Sequence, residues 1–458
     1  MTFRLESDSI GTKEINLNAY YGVQTLRAVE NFPITGKKAH PEFINSLAAI
    51  KKAAAIMNNK IGALNKNISE AIVLACDEIL SGKLHDQFIT DPIQGGAGTS
   101  FNMNANEVIA NRAIEILNGE KGNYSIVHPN DHVNMAQSTN DVIPTAGKIT
   151  AIKLLKKAII ELKRLEVALE EKEKEFHDII KMGRTQMQDA IPIRLGQEFG
   201  AYKATVKRDL KRLNMAVDEL SQVNIGGTAI GTSLNADKNY VKGIVPELDN
   251  IVKLNLKQAE DLVDSTQNLD GFVFVSSILR TCAVSLSKMS NDLRVMSSGP
   301  RTGFAEINLP PKQNGSSIMP GKVNPVIPEV MSQVAFNIIG NDTTITMAAE
   351  AGQLELNAFE PVIFYNLFES ITTLTGGVKT FVDNCIIGIT ANKDRCKSLV
   401  YQSVGIITAI CPKLGYQASA EIAKAAIKTG KSVRDLLKEN HKLSDEEIDK
   451  ILDPKTMV

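Results

Sequence analysis

Residues 147–183 read GKITAIKLLKKAIIELKRLEVALEEKEKEFHDIIKMG, and between the bounding Gly147 and Gly183 there is neither Gly nor Pro. Ile152, Leu155, Ile159, Leu162, Leu165 and Leu169 recur in steps of three and four, which is one apolar stripe of an amphipathic helix. Lys and Glu crowd the other positions, as in Glu170-Glu-Lys-Glu-Lys174, and their mixed signs suit a solvated face with i,i+4 pairs. At ~1.5 Å per residue, a helix of about 35 residues is about 50 Å long. Helices of that length belong to bundles and coiled coils.

Similar patterns run over 195–223, 256–298, 328–352 and 361–392. Strand-like alternation is scarce. The sequence therefore predicts a mainly α fold around a central bundle of long helices, and excludes a doubly wound sheet. The ends differ from the middle. Residues 1 to 140 mix short helices with turn-rich stretches such as Asp91-Pro-Ile-Gln-Gly-Gly-Ala-Gly-Thr-Ser100. The last sixty residues hold short helices: Ser432 and Ser444 suit N-caps, Ser444 with Glu447 fits a capping box, and Gly430 suits a helix stop. Three domains are expected, 1–142, 143–393 and 394–458. No internal repeat interrupts them.

The bulk numbers bound the function. The chain has 458 residues, 43% hydrophobic and 22% charged, enough for a large core. Trp is absent and aromatics are 5%, so aliphatic side chains fill it. Lys and Arg number 51 against 52 Asp and Glu, without a basic block, which argues against a nucleic-acid partner. The C-terminal short helices lack a basic recognition face. The five cysteines are odd in number and form no CxxC pair, so neither a disulfide framework nor a zinc motif is expected. The opening MTFRLESDSIG lacks a signal-peptide core, and no run approaches ~20 apolar residues; a cytoplasmic setting without a membrane partner is expected.

Four polar segments interrupt the helices: Gly95-Gly-Ala-Gly-Thr-Ser100, Gln137-Ser-Thr-Asn-Asp141, Gly183-Arg-Thr-Gln-Met-Gln-Asp189 and Gly315-Ser-Ser-Ile-Met-Pro-Gly-Lys-Val-Asn-Pro325. Each of the first three has a structural reading. The glycines permit a tight turn and lack the GxGxxG spacing of a dinucleotide site. Ser138, Thr139 and Asn140 are good helix caps. Arg184 suits an ion pair, as Lys322 suits an exposed surface. The fourth segment resists that treatment. Two serines, two glycines, two prolines, a lysine and an asparagine within eleven residues give irregular backbone studded with groups that hold an anion, a mobile anion-binding loop rather than a linker.

That fourth segment, GSSIMPGKVNP, resembles the signature loop of the fumarase/aspartase superfamily. GGAGTS, QSTND and GRTxxQDA fall at the family's other active-site positions, in its order and spacing, and the resemblance runs from about Tyr20 to beyond Gly415. It implies a three-domain, mainly helical subunit. Four copies pool their central helices into one bundle, and each active site draws on three subunits. It also implies a reaction: proton removal beside a carboxylate and expulsion of a group from the neighbouring carbon, giving fumarate.

Two features place the chain among the ammonia-lyases of that family. Val326-Ile-Pro-Glu-Val330 follows the loop where fumarases have a Thr-Gln-Cys-Glu continuation, and Tyr20-Tyr-Gly-Val-Gln-Thr with Glu30-Asn-Phe-Pro-Ile-Thr35 resembles the same branch. Gln186 also stands where fumarases carry a histidine paired with a glutamate at the position of Glu329. An amide cannot exchange a proton as imidazole does, so hydration of fumarate is expected to suffer. The expected reaction is the reversible deamination of L-aspartate to fumarate and ammonium.

By the same resemblance Ser316 is the base, acting as an alkoxide. A serine hydroxyl needs donors that favour its charged form, a task suited to Lys322 and loop amides. The β-carboxylate falls to Thr99, Ser138, Thr139 and Ser317. The α-carboxylate falls to Thr185, Lys322 and Asn324, and the amino group to Thr139, Asn140 and Gln186. The loop is expected to close as a lid. Residues 228–235 are expected to line the site without an assigned role. His128-Pro-Asn-Asp-His132 resembles a secondary dicarboxylate site of fumarases and reads equally as a polar helix start. No organic cofactor is implied: a pyridoxal-phosphate site around Lys322 lacks its other residues. No cluster has metal-ligand spacing; activation by Mg2+ comes only from the resemblance. Two rivals remain, a fumarate hydratase on the same scaffold and a non-catalytic structural member. Intact Ser316, Lys322 and Asn324 speak against the second.

Overall fold

The computed structural model describes residues 2–439 and 443–458. Strands β1 (Phe3–Asp8) and β2 (Gly11–Asn16) open the chain, followed by helices α1 (Val23–Asn31), α2 (Pro41–Lys60), α3 (Lys66–Leu80) and α4 (Thr99–Ile116). Next come α5 (Thr139–Glu175), the strands β3 (Ile180–Thr185) and β4 (Gln188–Arg194), α6 (Leu195–Leu220), β5 (Gln222–Val223) and α7 (Lys238–Val252). Strand β6 (Lys257–Gln258), the one-turn α8 (Asp264–Gln267), α9 (Asp270–Met296) and β7 (Ile307–Asn308) precede α10 (Val326–Glu350) and α11 (Glu360–Asn384). The chain closes with β8 (Thr390–Ala391), α12 (Lys393–Gln402), α13 (Cys411–Leu414), α14 (Tyr416–Thr429), α15 (Val433–Glu439) and α16 (Asp445–Ile451). The strands pair two by two, so the fold is mainly α, as expected.

The long helices depart from the sequence reading in informative ways. The helix read from 147 begins at Thr139 and takes Pro144 and Gly147 inside it. Proline cannot donate to the carbonyl four residues back; that carbonyl, of Asn140, instead accepts from Asn224 Nδ2 at 3.1 Å. Gly147 is needed for packing, because a Cβ there would stand 2.3 Å from the Phe364 ring. The segment expected as one helix over 256–298 is helical in earnest only from Asp270. Before it, β6 pairs with β5, and Asp261 Oδ1 accepts from the amides of Val263 and Asp264, which ends the run in a turn. The first 140 residues hold longer helices than expected, since α2 has 20 residues and α4 has 18.

The chain divides into two compact units. The first comprises 1–159, 211–281 and 336–374; the second comprises 160–210, 282–335 and 375–458. This partition differs from a division at 142 and 393: position 142 lies within α5, and 393 opens α12. In the first unit α2 packs on α3, α4 and α7. In the second, α14, α15 and α16 share an apolar core of Ile406, Ile410, Ile422, Leu437, Ile448 and Leu452 that also takes in Met182 of β3. Their punctuation follows the sequence: Ser444 and Glu447 form a reciprocal capping box, and Gly430 ends α14 at φ +69°.

Helix α9 is long and apolar enough, by length and composition, to cross a membrane, which the sequence reading had not singled out. Half of its most apolar window is buried within the protein. Ser276 and Arg280 on it hold the buried Asp342 at 2.7 Å each, as suits a bundle helix. Cys76, Cys282, Cys385 and Cys396 are buried, and Cys411 is half-buried. Burial pushes the thiols of Cys385 and Cys396 up to about 12, and that of Cys76 higher still.

Candidate active site

In the first unit, two helix N-termini carry candidate residues. Thr99 opens α4 behind Gly98, which is held at φ +82° and where a Cβ would stand 2.9 Å from Ile143, so both require glycine. The Thr99 hydroxyl donates to the Gly96 carbonyl at 2.7 Å. Ser138 caps α5: its Oγ accepts from the Asn140 amide at 3.2 Å, while its own amide donates to Asp141 Oδ1 at 2.9 Å. The cap reading of this segment thus holds. The dipole of a helix start favours a nearby carboxylate.

Thr139 and Asn140 are tied in place. Thr139 Oγ1 accepts from Asn102 Nδ2 at 3.3 Å, and Asn140 Nδ2 donates to the Ala229 carbonyl at 2.7 Å. Asp141 Oδ2 accepts from the amides of Gly226 and Thr228 at 3.1 and 2.9 Å. That carboxylate docks the 228–235 segment, in which Thr228, Ser233 and Asn235 all have positive φ. Burial pushes Asp141 up to about 6 against its three amide donors. Burial also pulls the wholly buried Lys51 down to about 7. Sequence reasoning missed Lys51, Asn102 and the anchoring carboxylate of Asp141. Their signals were a charge inside the Ala-rich run Ala48-Ala-Ile-Lys-Lys-Ala-Ala-Ala55 and the repeated asparagines of α4.

His128 and His132 serve local structure. His128 Nδ1 accepts from the amides of Asn130 and Asp131, and His132 Nδ1 from that of His128.

In the second unit, the segment read as a polar loop is an antiparallel hairpin, β3–β4. Its two-residue tip is Gln186-Met187, at φ +53° and +63°. Such turns normally take Asn-Gly; Gln and Met hold this left-handed backbone at a cost. Thr185 and Gln186 are exposed, and the Gln186 amide makes no hydrogen bond among the described residues. The hairpin is pinned from below. Arg184 meets the buried Glu306 at 2.8 Å and lies over the Phe304 ring at 4.1 Å, and Lys181 meets Glu198 at 3.1 Å and Glu306 at 3.6 Å. Arg184 is the ion-pair residue the sequence allowed.

The loop 315–325 folds back on itself. The Gly315 amide donates to the Lys322 carbonyl, and Asn324 Nδ2 to the Gly315 carbonyl, at 2.8 Å each. A Cβ on Gly315 would meet the Lys322 oxygen at 2.6 Å. Within this closed turn, Ser316 Oγ accepts from the amides of Ile318 and Met319 at 3.2 and 3.0 Å. Two amides on one hydroxyl oxygen favour its deprotonated form. The expected help of Lys322 is not seen in the single chain: its side chain is exposed and makes no ion pair among the described residues. Ser317, Ile318, Met319 and Val323 are exposed beside it.

The ten candidate residues thus form three local groups: Thr99 with Ser138, Thr139 and Asn140; Thr185 with Gln186; and Ser316, Ser317, Lys322 and Asn324. No group of three or more His, Cys, Asp or Glu side chains is placed to hold a metal among the described residues.

A lyase family profile matches residues 11–340, and a fumarase C C-terminus profile matches 406–458. The chain belongs to the fumarase/aspartase superfamily. The aspartate ammonia-lyase of Bacillus subtilis is 55% identical over 455 residues, covering 99% of this chain and 96% of that protein. Those of Helicobacter pylori and Escherichia coli are 50% and 48% identical, covering 99% and 98% of this chain and 98% and 94% of theirs. A crystal structure of a Brucella melitensis protein described as fumarate lyase:delta crystallin, bound to cobalt, superposes with a TM-score of 0.97 at 48% identity, covering 100% of this chain and 99% of that one. A class II fumarase from Schistosoma mansoni superposes at 0.95 with 35% identity, covering 100% and 99%.

Proposed function

We propose that this chain is an aspartate ammonia-lyase, converting L-aspartate reversibly to fumarate and ammonium. Near full-length likeness to three bacterial aspartate ammonia-lyases supports the substrate. The observation that carries the chemistry is Ser316 Oγ receiving two backbone amides inside a closed loop. Ser316, as alkoxide, takes the C3 proton. The electron pair moves into the β-carboxylate, giving a doubly charged aci-carboxylate that Thr99, Ser138, Thr139 and Ser317 hold. The pair then returns to form the C2–C3 double bond as the C2–N bond breaks and ammonia leaves. Thr185, Lys322 and Asn324 hold the α-carboxylate, and Thr139, Asn140 and Gln186 the amino group. The step needs no organic cofactor.

The site is completed by other copies of the chain, in a homotetramer with three subunits at each site. One feature supports this. Large apolar side chains stand exposed on the long helices, Phe336 at 62% and Met347 at 66% on α10. The three-domain division at 142 and 393 belongs to the same reading. An odd cysteine count with four buried supports a reducing, cytoplasmic setting.

The second reading, fumarate hydratase, draws on the shared fold with a class II fumarase. Gln186 opposes it. The test follows fumarate by absorbance from L-aspartate and from L-malate. Fumarate from aspartate alone upholds the proposal; fumarate from malate alone overturns it.

A further inference from the structure

Lys51 stands in the middle of α2, wholly buried, with no carboxylate within ion-pair distance among the described residues. Its Nζ donates to Asn102 Oδ1 at 2.7 Å, Asn134 Oδ1 at 2.8 Å and Gln137 Oε1 at 2.9 Å. An ammonium has three donors and no acceptor. It therefore forces the oxygen end of each amide toward itself and the NH2 end away. The three NH2 ends are all used. Asn134 Nδ2 donates to the Gln137 carbonyl at 3.2 Å, and Gln137 Nε2 to the carbonyls of Val133 and Met135 at 3.1 Å. Asn102 Nδ2 donates to Asn134 Oδ1 at 3.2 Å and to Thr139 Oγ1 at 3.3 Å.

The consequence falls on Thr139. Its hydroxyl oxygen is occupied by an incoming donor, so its proton is left to be given elsewhere. Asn140 is set in the opposite sense: its Nδ2 is spent on the Ala229 carbonyl, so Oδ1 remains to accept. One neighbour offers a donor, suited to a carboxylate, and the next an acceptor, suited to an ammonium.

We propose that Lys51 is a positioning residue which, through Asn102, fixes the Thr139 hydroxyl as a donor to the substrate's β-carboxylate. A hydroxyl oriented in advance loses no alternative orientation as charge grows on that carboxylate. The proposal rests on the ammonia-lyase reading for the identity of the carboxylate, but not for the network itself.

The test is a double-mutant cycle with Asn102→Asp and Thr139→Val, alongside Lys51→Met. Asn102→Asp keeps the volume and gives Lys51 an ion pair, which offsets the lost bond to Asn134 Oδ1. It presents Thr139 with an acceptor, which turns the hydroxyl proton inward. Asn102→Asp is expected to keep the melting temperature and lower kcat for aspartate about 10²-fold, the typical cost of one misdirected oxyanion donor, with a smaller change in KM. Added to Thr139→Val, it is expected to cost nothing more. Lys51→Met, where it folds, shows the Asn102→Asp loss. Unchanged kcat in Asn102→Asp, or losses that multiply in the double variant, overturn the proposal. If the unsubstituted enzyme leaves aspartate untouched, the substrate reading has failed; the same cycle is then read on fumarate affinity by calorimetry, where additivity overturns and non-additivity sustains the network.

Discussion

The Met319 amide lies 3.0 Å from Ser316 Oγ, and the Ile318 amide lies 3.2 Å from the same atom. The hydroxyl oxygen has lone pairs for both amides, and an alkoxide in its place gains more from each. Replacing Ser316 with Ala is expected to lower kcat by about 10²–10⁴-fold, the range for a general base, with an unchanged melting temperature. A variant retaining a tenth of the activity would remove Ser316 from the base role.

Gly315→Ala places a methyl 2.6 Å from the Lys322 carbonyl and 2.9 Å from the Asn324 amide. The closed turn that supplies the amides cannot form around it. kcat/KM is expected to fall at least tenfold with global stability intact, because the loop is exposed. Steady-state kinetics with a thermal melt checks both halves.

Glu306→Ala removes a carboxylate with no exposed surface, leaving Lys181 with Glu198 alone and Arg184 with only the exposed Asp189 at 4.0 Å. Breaking a buried pair from one side costs about 3–5 kcal/mol, to be read by denaturant unfolding. The hairpin bearing Thr185 and Gln186 is the part expected to loosen first, seen as faster amide exchange along β3 and β4.

Lys51 supplies a pH prediction. Its folded value, about 7, lies below its ordinary 10.5, with Asp141 and Cys76 the neighbours that oppose the drop. Between those values the unfolded chain binds more protons, so this group makes folding more favourable as pH rises from 7 toward 10.5. Its cost is fully present below 7. The stability of the natural chain relative to Lys51→Met is therefore expected to rise between pH 7 and 10, by up to about 1.4 kcal/mol per pH unit. A difference that stays flat across that range means the amine is not depressed.

The bundle was legible because α5, α6, α10 and α11 carry their apolar stripes on their own faces, so one chain's pattern suffices. The start of α5 was hidden by Pro144 and Gly147, each tolerated for a tertiary reason: Asn224 supplies the missing donor, and Phe364 needs the missing Cβ. The hairpin was hidden because Gln186-Met187 are poor turn residues, kept in left-handed backbone by something other than propensity. The polar groups of the candidate site were visible as motifs. Lys51 and Asn102 were not, since an ordinary helix sequence cannot reveal which buried amides converge on one cation.

The four buried cysteines have thiols that react slowly, and Cys411 is partly covered. Ile318, 83% exposed beside Ser316, sits on a molecule that is nearly blank to thiol reagents. A single cysteine introduced there, with Cys411 changed to Ser, would take a fluorophore selectively. The scarcity of reactive sulfur gives the enzyme a silent background, against which the arrival and departure of each substrate could be watched as light from its own loop.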